Sequence, residues 1–323
     1  MKKMVKVCIC LFLFLFLLSG CGRKEIEVEK DHNKIKIVAT DFAPYDFAKN
    51  VAGEGGDVTM LLSPGEEAHS FEPTPKEVIE IQNCDVFVYT GGESEEWVTD
   101  ILKDLDRDIR VVKLMDCVDL YEEETIEGME VNEHGHEHEE EHGQEERAEY
   151  DEHVWTAPEN AIKITRYLCE AYQEADPAHA DIYEENADFY TKKLKKLDQA
   201  FWDIVTHAKR KTLVFGDRFP VRYFVEEYGL DYYAAFPGCA SNTEASAKTV
   251  AFLIDKVKKE QIPVVFHVEL SNEDMADTIC EDTGAKKRQF SACHNISKEQ
   301  FEKGVGYLDL MWDNVKVLKE ALN

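Results

Sequence analysis

Histidine is the residue type in this chain with the most obvious chemistry, because neutral imidazole binds borderline transition metals. A run of histidines and glutamates occupies residues 133–142, with imidazoles at His134, His136, His138 and His142. Its carboxylates add oxygen ligands and attract cations. Since it is too polar to pack into a core, we predict an auxiliary, low-affinity metal-collecting loop. His69 and His153 lie on either side of it in the sequence and are candidate ligands of a tighter site.

Part of this run also matches a protease motif. Residues 138–142 read His-Glu-Glu-Glu-His, the H-E-x-x-H pattern that on a helix places two zinc-binding imidazoles beside a catalytic glutamate. No apolar face is available here to bury such a helix. The sequence also has no glycine-rich phosphate loop and no convincing nucleophile arrangement. We therefore predict that the chain is not an enzyme.

The N-terminal residues indicate where the metal would be bound. Three lysines precede an apolar run at residues 7–18, which is too short to span a bilayer comfortably, and Leu-Ser-Gly-Cys follows, ending at Cys21. This order resembles a bacterial lipoprotein box, which implies cleavage before Cys21 and diacylation of its thiol. An uncleaved transmembrane anchor is the alternative. We predict a signal peptide at 1–20, a lipid-anchored tether at 21–34, and an extracytoplasmic protein attached to the bacterial cell membrane.

Composition limits the class of protein and the class of ligand. With 323 residues and 44% hydrophobic content, the chain can bury a full core, and about two domains are expected. The formal net charge of −29 would repel phosphate, so nucleic acid is excluded as a partner. A cation is the expected ligand.

The pattern of apolar residues predicts an α/β fold. Short β-branched runs alternate with amphipathic stretches before residue 177 and again after residue 209. Strands separated by helical segments indicate mainly parallel sheets covered by helices. We predict two similar α/β lobes, at residues 35–176 and 210–323. The first lobe would carry the His/Glu-rich insertion at residues 122–152.

Residues 177–209, between the two lobes, have a different pattern. Apolar side chains are spaced alternately by four and three at Tyr183, Ala187, Tyr190, Leu194, Leu197, Phe201 and Ile204. This spacing gives one apolar stripe along a long helix. We predict a rigid linking helix that lies across both lobes, and a dimeric coiled coil is the alternative.

Three sequence blocks resemble one protein family. Residues 58–75 (including Pro-Gly-Glu-Glu-Ala-His), 83–97 and 151–158 (Asp-Glu-His-Val-Trp-Thr-Ala-Pro) look like the zinc- and manganese-binding lipoproteins that serve ABC importers. The resemblance covers nearly the whole mature chain. It implies two lobes joined by a helix, with one metal in the cleft held by His69 and His153. It also implies a receptor that delivers Zn²⁺ to a membrane permease and its ATPase.

The second lobe departs from this family pattern. Where similar proteins place a His or Glu ligand directly after a strand, this chain has Gly216, which offers no side-chain donor. Asp217 is a substitute, although it could equally pair with Arg218. The family's carboxylate ligand corresponds most closely to His294, the nearest good donor. The remaining candidates, on the preceding strand, are Glu269 and His267.

Two cysteines also fall in second-lobe loops. Cys239 and Cys293 could act as thiolate ligands, which zinc accepts readily. Outside the cytoplasm a disulfide between them is favoured, and bridged sulfurs could not bind metal as thiolates.

The imidazole-rich coordination and the His-rich run favour Zn²⁺ as the bound metal, whereas a manganese protein would offer more oxygen ligands. A manganese-specific receptor of the same family is one alternative. A surface adhesin or metal buffer is another, although a buffer would not require ligand blocks in two lobes joined by a helix.

Overall fold

The computed structural model describes residues 34–130, 149–240 and 245–323. Within these ranges the chain forms two four-stranded parallel sheets with flanking helices, which confirms the predicted α/β fold class. The predicted signal segment, Cys21 and the imidazoles of His134, His136, His138 and His142 lie outside the described residues.

The first lobe is built on a sheet with strand order β2-β1-β3-β4, in which every neighbouring pair is parallel. The strands are β1 (Ile35–Ala39), β2 (Gly56–Met60), β3 (Val86–Tyr89) and β4 (Arg110–Lys113). The helices are α1 (Phe42–Ala52), α2 (Pro75–Asn83), α3 (Trp97–Lys103) and α4 (Pro158–Ala175). Alternate residues of β1 and β3 belong to two separate apolar clusters. Both faces of the central strands are therefore buried, as parallel sheets require.

The second lobe repeats this arrangement with strand order β6-β5-β7-β8. Its strands are β5 (Thr212–Phe219), β6 (Asp231–Pro237), β7 (Val264–His267) and β8 (Lys286–Gln289). Its helices are α6 (Arg222–Tyr228), α7 (Ala247–Glu260), α8 (Asp274–Thr283), α9 (Lys298–Glu302) and α10 (Tyr307–Leu322), and α5 (Ala180–Thr206) joins the lobes. Strand β8 reads Lys-Lys-Arg-Gln and was not predicted, because an edge strand with charged side chains carries no apolar signal.

Helix α5 (Ala180–Thr206) connects the two lobes and follows a short turn at Pro177–His179. Every residue of its predicted apolar stripe is buried. The helix packs on α1 and α4 of the first lobe and on α10 of the second. The predicted stripe is therefore covered by the chain itself and is not available to a coiled-coil partner. Neither this helix nor any other in the described ranges is long and apolar enough to cross a membrane.

Direct hydrogen bonds connect the lobes beside the cleft. The indole Nε1 of Trp155 donates to the carbonyl of Ala292 over 2.7 Å. The hydroxyl of Tyr307 donates to the carbonyl of Trp155 over 2.9 Å, and one apolar core extends through both lobes. The two walls of the cleft are thus held by a shared buried core rather than by α5 alone.

Candidate metal centre

His69 lies in the loop between β2 and α2. The loop enters through a Pro-Gly turn in which Gly65 has a φ of +89°, a backbone conformation that favours glycine. It ends at a capping box, in which the Thr74 side chain accepts from the amide of Glu77 and the Glu77 carboxylate accepts from the amide of Thr74. A turn and a capped helix therefore fix both ends of the loop that carries His69.

His153 is completely buried, and its ring is oriented by Asp151. The Asp151 Oδ1 accepts from the backbone amide of His153 over 2.8 Å and lies 3.1 Å from its Nδ1. Because an ionised carboxylate only accepts, Nδ1 carries a proton, so that Nε2 presents a lone pair when the ring is neutral. This Nε2 is buried without a hydrogen-bond partner among the described residues. A carboxylate–histidine pair with a free ring nitrogen is the arrangement found in protein zinc sites.

His294 comes from the second lobe, in the loop between β8 and α9. The preceding residue, Cys293, has a φ of +59°, which turns the chain sharply before the imidazole. The Glu269 carboxylate accepts from the amides of Ala292 and His294 over 2.7 and 2.9 Å. The side chain of Asn295 donates to two carbonyls of the His69 loop. The His294 loop is thus anchored within its own lobe and to the opposite one.

These three imidazoles converge in the cleft. The ring centroids are 5.5 Å apart for His69 and His153, 4.7 Å for His69 and His294, and 5.0 Å for His153 and His294. One nitrogen from each ring lies within 4.8 Å of the other two. They line a cavity of about 110 Å³. Since zinc lies about 2.0–2.1 Å from an imidazole nitrogen, a small inward movement would let all three bind one ion.

Electrostatics keep at least two of the rings neutral. Burial lowers the pKa of His69 to about 3, with His153 and Arg218 acting in the same direction. Burial also lowers the pKa of His294 well below its ordinary value, and the neighbouring imidazoles add to the effect. For His153, burial opposes the charged form, but the carboxylates of Asp151 and Glu152 outweigh it and raise its pKa. Neutral rings keep the lone pairs that a metal needs.

Two charged side chains complete the walls of this cavity. Glu269 lines it, and burial raises the pKa of its carboxyl. Arg218 also lines it, and its guanidinium lies 3.3 Å from the Glu67 carboxylate across the cleft. The guanidinium cannot bind a metal, so its role here is an ion pair between the lobes.

The structure does not bring Asp217 and His267 to the three imidazoles. The two oxygens of Asp217 accept from the amides of Arg218 and Val268 over 2.7 and 2.9 Å, inside the second lobe. His267 has its Nδ1 3.0 Å from the carbonyl of Val268. Neither lines the cavity. At Gly216, an added Cβ would lie 2.8 Å from the Cα of Ala276, so helix α8 leaves no room for a side chain.

The predicted disulfide between Cys239 and Cys293 is not formed, since both are free thiols in the structure. The Cys293 sulfur lies 3.7 Å from the Ser291 hydroxyl, within the core of the second lobe. Cys239 instead lies among first-lobe carboxylates, with its amide donating to Glu123 over 2.9 Å. The two sulfurs have different surroundings because the backbone turn at Cys293 directs its side chain inward.

Sequence reasoning missed Asp151 and the cavity-lining role of Arg218. The spacing Asp-x-His could have indicated Asp151, because a short loop lets a carboxylate accept from the imidazole two residues later. No local pattern indicates that Arg218 reaches Glu67, since 151 residues separate them.

Comparison with known families gives a match over nearly all of the described chain. A family described as "ZnuA: Zinc-uptake complex component A periplasmic" matches residues 37–321. The chain belongs to this family. This confirms the resemblance drawn from the three sequence blocks. The family is that of a periplasmic zinc-uptake component, outside the cytoplasm.

Individual relatives agree with this assignment. The zinc-binding lipoprotein AdcA of Streptococcus pneumoniae is 32% identical over 289 residues, which cover 89% of this chain and 56% of the relative. The chain therefore spans about half the length of that protein. The high-affinity zinc uptake system protein ZnuA of Bacillus subtilis is 30% identical over 296 residues, covering 90% of this chain and 88% of the relative.

A solved structure extends the similarity to three dimensions. The Zn(II)-bound ZnuA-like domain of S. pneumoniae AdcA has a TM-score of 0.73 and 29% identity. It covers 90% of this chain and 99% of that domain. The chain thus has the fold of the ZnuA-like part of the longer relative.

Proposed function

We propose that this chain captures Zn²⁺ in the cleft between its lobes, with His69, His153 and His294 as ligands. The observation that carries the proposal is the convergence of three imidazoles, two from the first lobe and one from the second, around one cavity. A ligand set drawn from both lobes makes metal binding depend on their relative position. The names of the zinc-binding relatives support the same cargo.

The donor set favours zinc over manganese. Imidazole nitrogen suits zinc, while manganese prefers carboxylate, carbonyl and water oxygens. Three imidazole ligands leave the fourth tetrahedral position for water or for Glu269, whose carboxylate lines the cavity. The buried, unpartnered Nε2 of His153 fits a metal ligand, because a buried acceptor without a partner is otherwise costly.

We propose that the metal is the transported cargo and that the protein is not an enzyme. The chain would act as the receptor of an ABC importer, delivering zinc to the membrane permease that works with its ATPase. Processing before Cys21 and acylation of its thiol would anchor the protein to the outside of the bacterial cell membrane, through a tether at residues 21–34. The family description as a periplasmic zinc-uptake component supports this placement.

Calorimetric zinc titration of the purified chain tests the site. Replacing His69, His153 or His294 by alanine should each weaken tight binding by about tenfold or more, since a site with fewer donors cannot close its coordination shell. His207→Ala is the matched control, because this exposed histidine at the end of α5 lies outside the cavity. Tight binding that survives loss of any of the three imidazoles would remove that residue from the site.

A further inference from the structure

Cys239 places a thiol beside the three-histidine centre. It follows the end of β6, and its amide donates to the Glu123 carboxylate of the first lobe. Burial, together with the carboxylates of Asp151 and Glu152, raises the pKa of this thiol well above its ordinary value. A second-lobe sulfur is therefore held among first-lobe carboxylates, and it is a free thiol.

Glu152 supplies a fixed carboxylate at the same place. It is buried, and its two oxygens accept from the amide and the hydroxyl of Ser94. Gly92, with a φ of +87°, allows this approach, because a Cβ there would lie 2.2 Å from the Glu152 Oε1. Each carboxylate oxygen has more than one lone pair, so both can still bind a cation. The glycine and the serine hold Glu152 in one position.

His69, Glu152 and Cys239 form a cluster of their own. One ligand atom from each lies within 4.8 Å of the other two. His69 is also a member of the three-histidine group. Two potential metal triads therefore overlap at one imidazole. The second contains nitrogen, oxygen and sulfur donors, all of which zinc accepts.

We propose that His69, Glu152 and Cys239 form a second metal site that overlaps the three-histidine centre and takes thiophilic divalent cations such as Cd²⁺, and Zn²⁺ more weakly than the three imidazoles do. The inference rests on the proposed function, in that both sites use His69. When the metal binds, the sulfur–metal bond forms, the S–H bond breaks and the proton leaves to solvent. Because His69 is shared, one ion occupies either triad, and it can pass between them by exchanging the other two ligands.

The second site adjoins the residues that flank segment 131–148 in the sequence. Glu123, which accepts from the Cys239 amide, donates its own amide to the carbonyl of Glu149 over 2.8 Å. An antiparallel bridge joins Glu122 to Tyr150. These contacts pair the residues that precede segment 131–148 with the residues that follow it. Cys239 of the second site is thus hydrogen-bonded to Glu123, one of these flanking residues.

Cd²⁺ titration monitored by ultraviolet absorption tests the proposal, because only a sulfur ligand gives a sulfur-to-cadmium charge-transfer band. Full-length chain carrying His294→Ala should bind one Cd²⁺ tightly and show this band. Adding Cys239→Ser should abolish the band, whereas adding the matched control Cys293→Ser should leave it intact. His69→Ala should remove it, because the shared imidazole is lost.

A band that persists in the Cys239→Ser background, or a tightly bound Cd²⁺ without a band in His294→Ala, overturns the second site. If His294→Ala does not fold, the wild-type chain loaded with Cd²⁺ provides the same comparison against Cys239→Ser alone. Failure of the three-histidine centre has a different signature, namely zinc affinity that is unchanged by both His153→Ala and His294→Ala. The two inferences can therefore fail independently.

Discussion

Asp151→Asn tests how the candidate metal centre works, because it removes one charge and almost no volume. In the structure the Asp151 Oδ1 accepts from the His153 amide and contacts its Nδ1, and both side chains are buried. Asparagine can keep its oxygen in this position, since the backbone amide still requires an acceptor. The substitution should therefore preserve the ring orientation and lose the negative charge that increases the basicity of the imidazole.

The expected loss of zinc affinity follows from this geometry. Substituting a carboxylate that orients a metal-bound histidine costs about 10- to 100-fold in affinity, or about 1.4–2.8 kcal/mol. Because asparagine retains the acceptor, we expect the lower end, about tenfold. Zinc titration against a competing chelator at neutral pH measures it. Asp217→Asn is the matched control, since this buried carboxylate accepts from two backbone amides away from the cavity. The zinc affinity of the Asp217→Asn protein should equal that of the wild type.

The same variant should alter the pH dependence of binding. In the wild type, Asp151 is the main reason that the pKa of His153 is raised despite burial. Protonated His153 stabilises the metal-free fold, and this stabilisation is lost as the pH rises through the raised pKa of His153. Zinc affinity changes in the opposite direction and increases over the same pH range. Burial keeps His69, with a pKa of about 3, and His294 neutral throughout this range, so one proton should compete with zinc.

Asp151→Asn removes the largest effects that oppose burial, so the pKa of His153 should fall. Zinc binding should then persist to lower pH than in the wild type, even though it is weaker at neutral pH. Affinities measured across the acidic range would show the two curves converging. Equal affinity at neutral pH together with an unchanged pH curve would refute the proposed role of Asp151.

Two further predictions concern the lipid anchor at Cys21 and the His/Glu-rich run. Cys21→Ser should abolish membrane attachment in cell fractionation while leaving zinc affinity intact, because anchor and site are separate; a protein still firmly bound to membranes would indicate an uncleaved apolar segment. Deleting residues 133–149 should keep one tight zinc site in calorimetry and remove only weaker binding, since the ligands lie elsewhere. Loss of the tight site would place that run among its ligands.

The fold class was predictable because local pattern and tertiary structure agree over most of the chain. Apolar β-branched runs such as β3 and β7 become central strands, and the four-and-three spacing along α5 becomes a buried stripe. Strand β8 was missed for a physical reason. Its side chains are charged and lie at a sheet edge, where Arg288 pairs with Glu320 of α10. The strand is therefore recognisable only from its pairing with β7.

The residues of the candidate site also divide into those that the sequence indicates and those that only the tertiary structure selects. Sequence blocks singled out His69 and His153, and residue type singled out His294, because imidazole donors are recognisable one residue at a time. Residue type alone could not separate His294 from Asp217 and His267, which are equally good donors in isolation. Neither Asp217, whose carboxylate faces backbone amides inside the second lobe, nor His267, at a buried strand end, lines the cavity.

Tertiary structure also decided the surroundings of the two second-lobe cysteines. Their sequence context suggested a disulfide, but the left-handed backbone at Cys293 directs its thiol into the core, while the end of β6 places Cys239 among first-lobe carboxylates. The sequence therefore determined which donors the chain possesses and which regular elements carry them. Only tertiary packing determined which donors meet, because the three imidazoles are at least 84 positions apart in the sequence and come from both lobes.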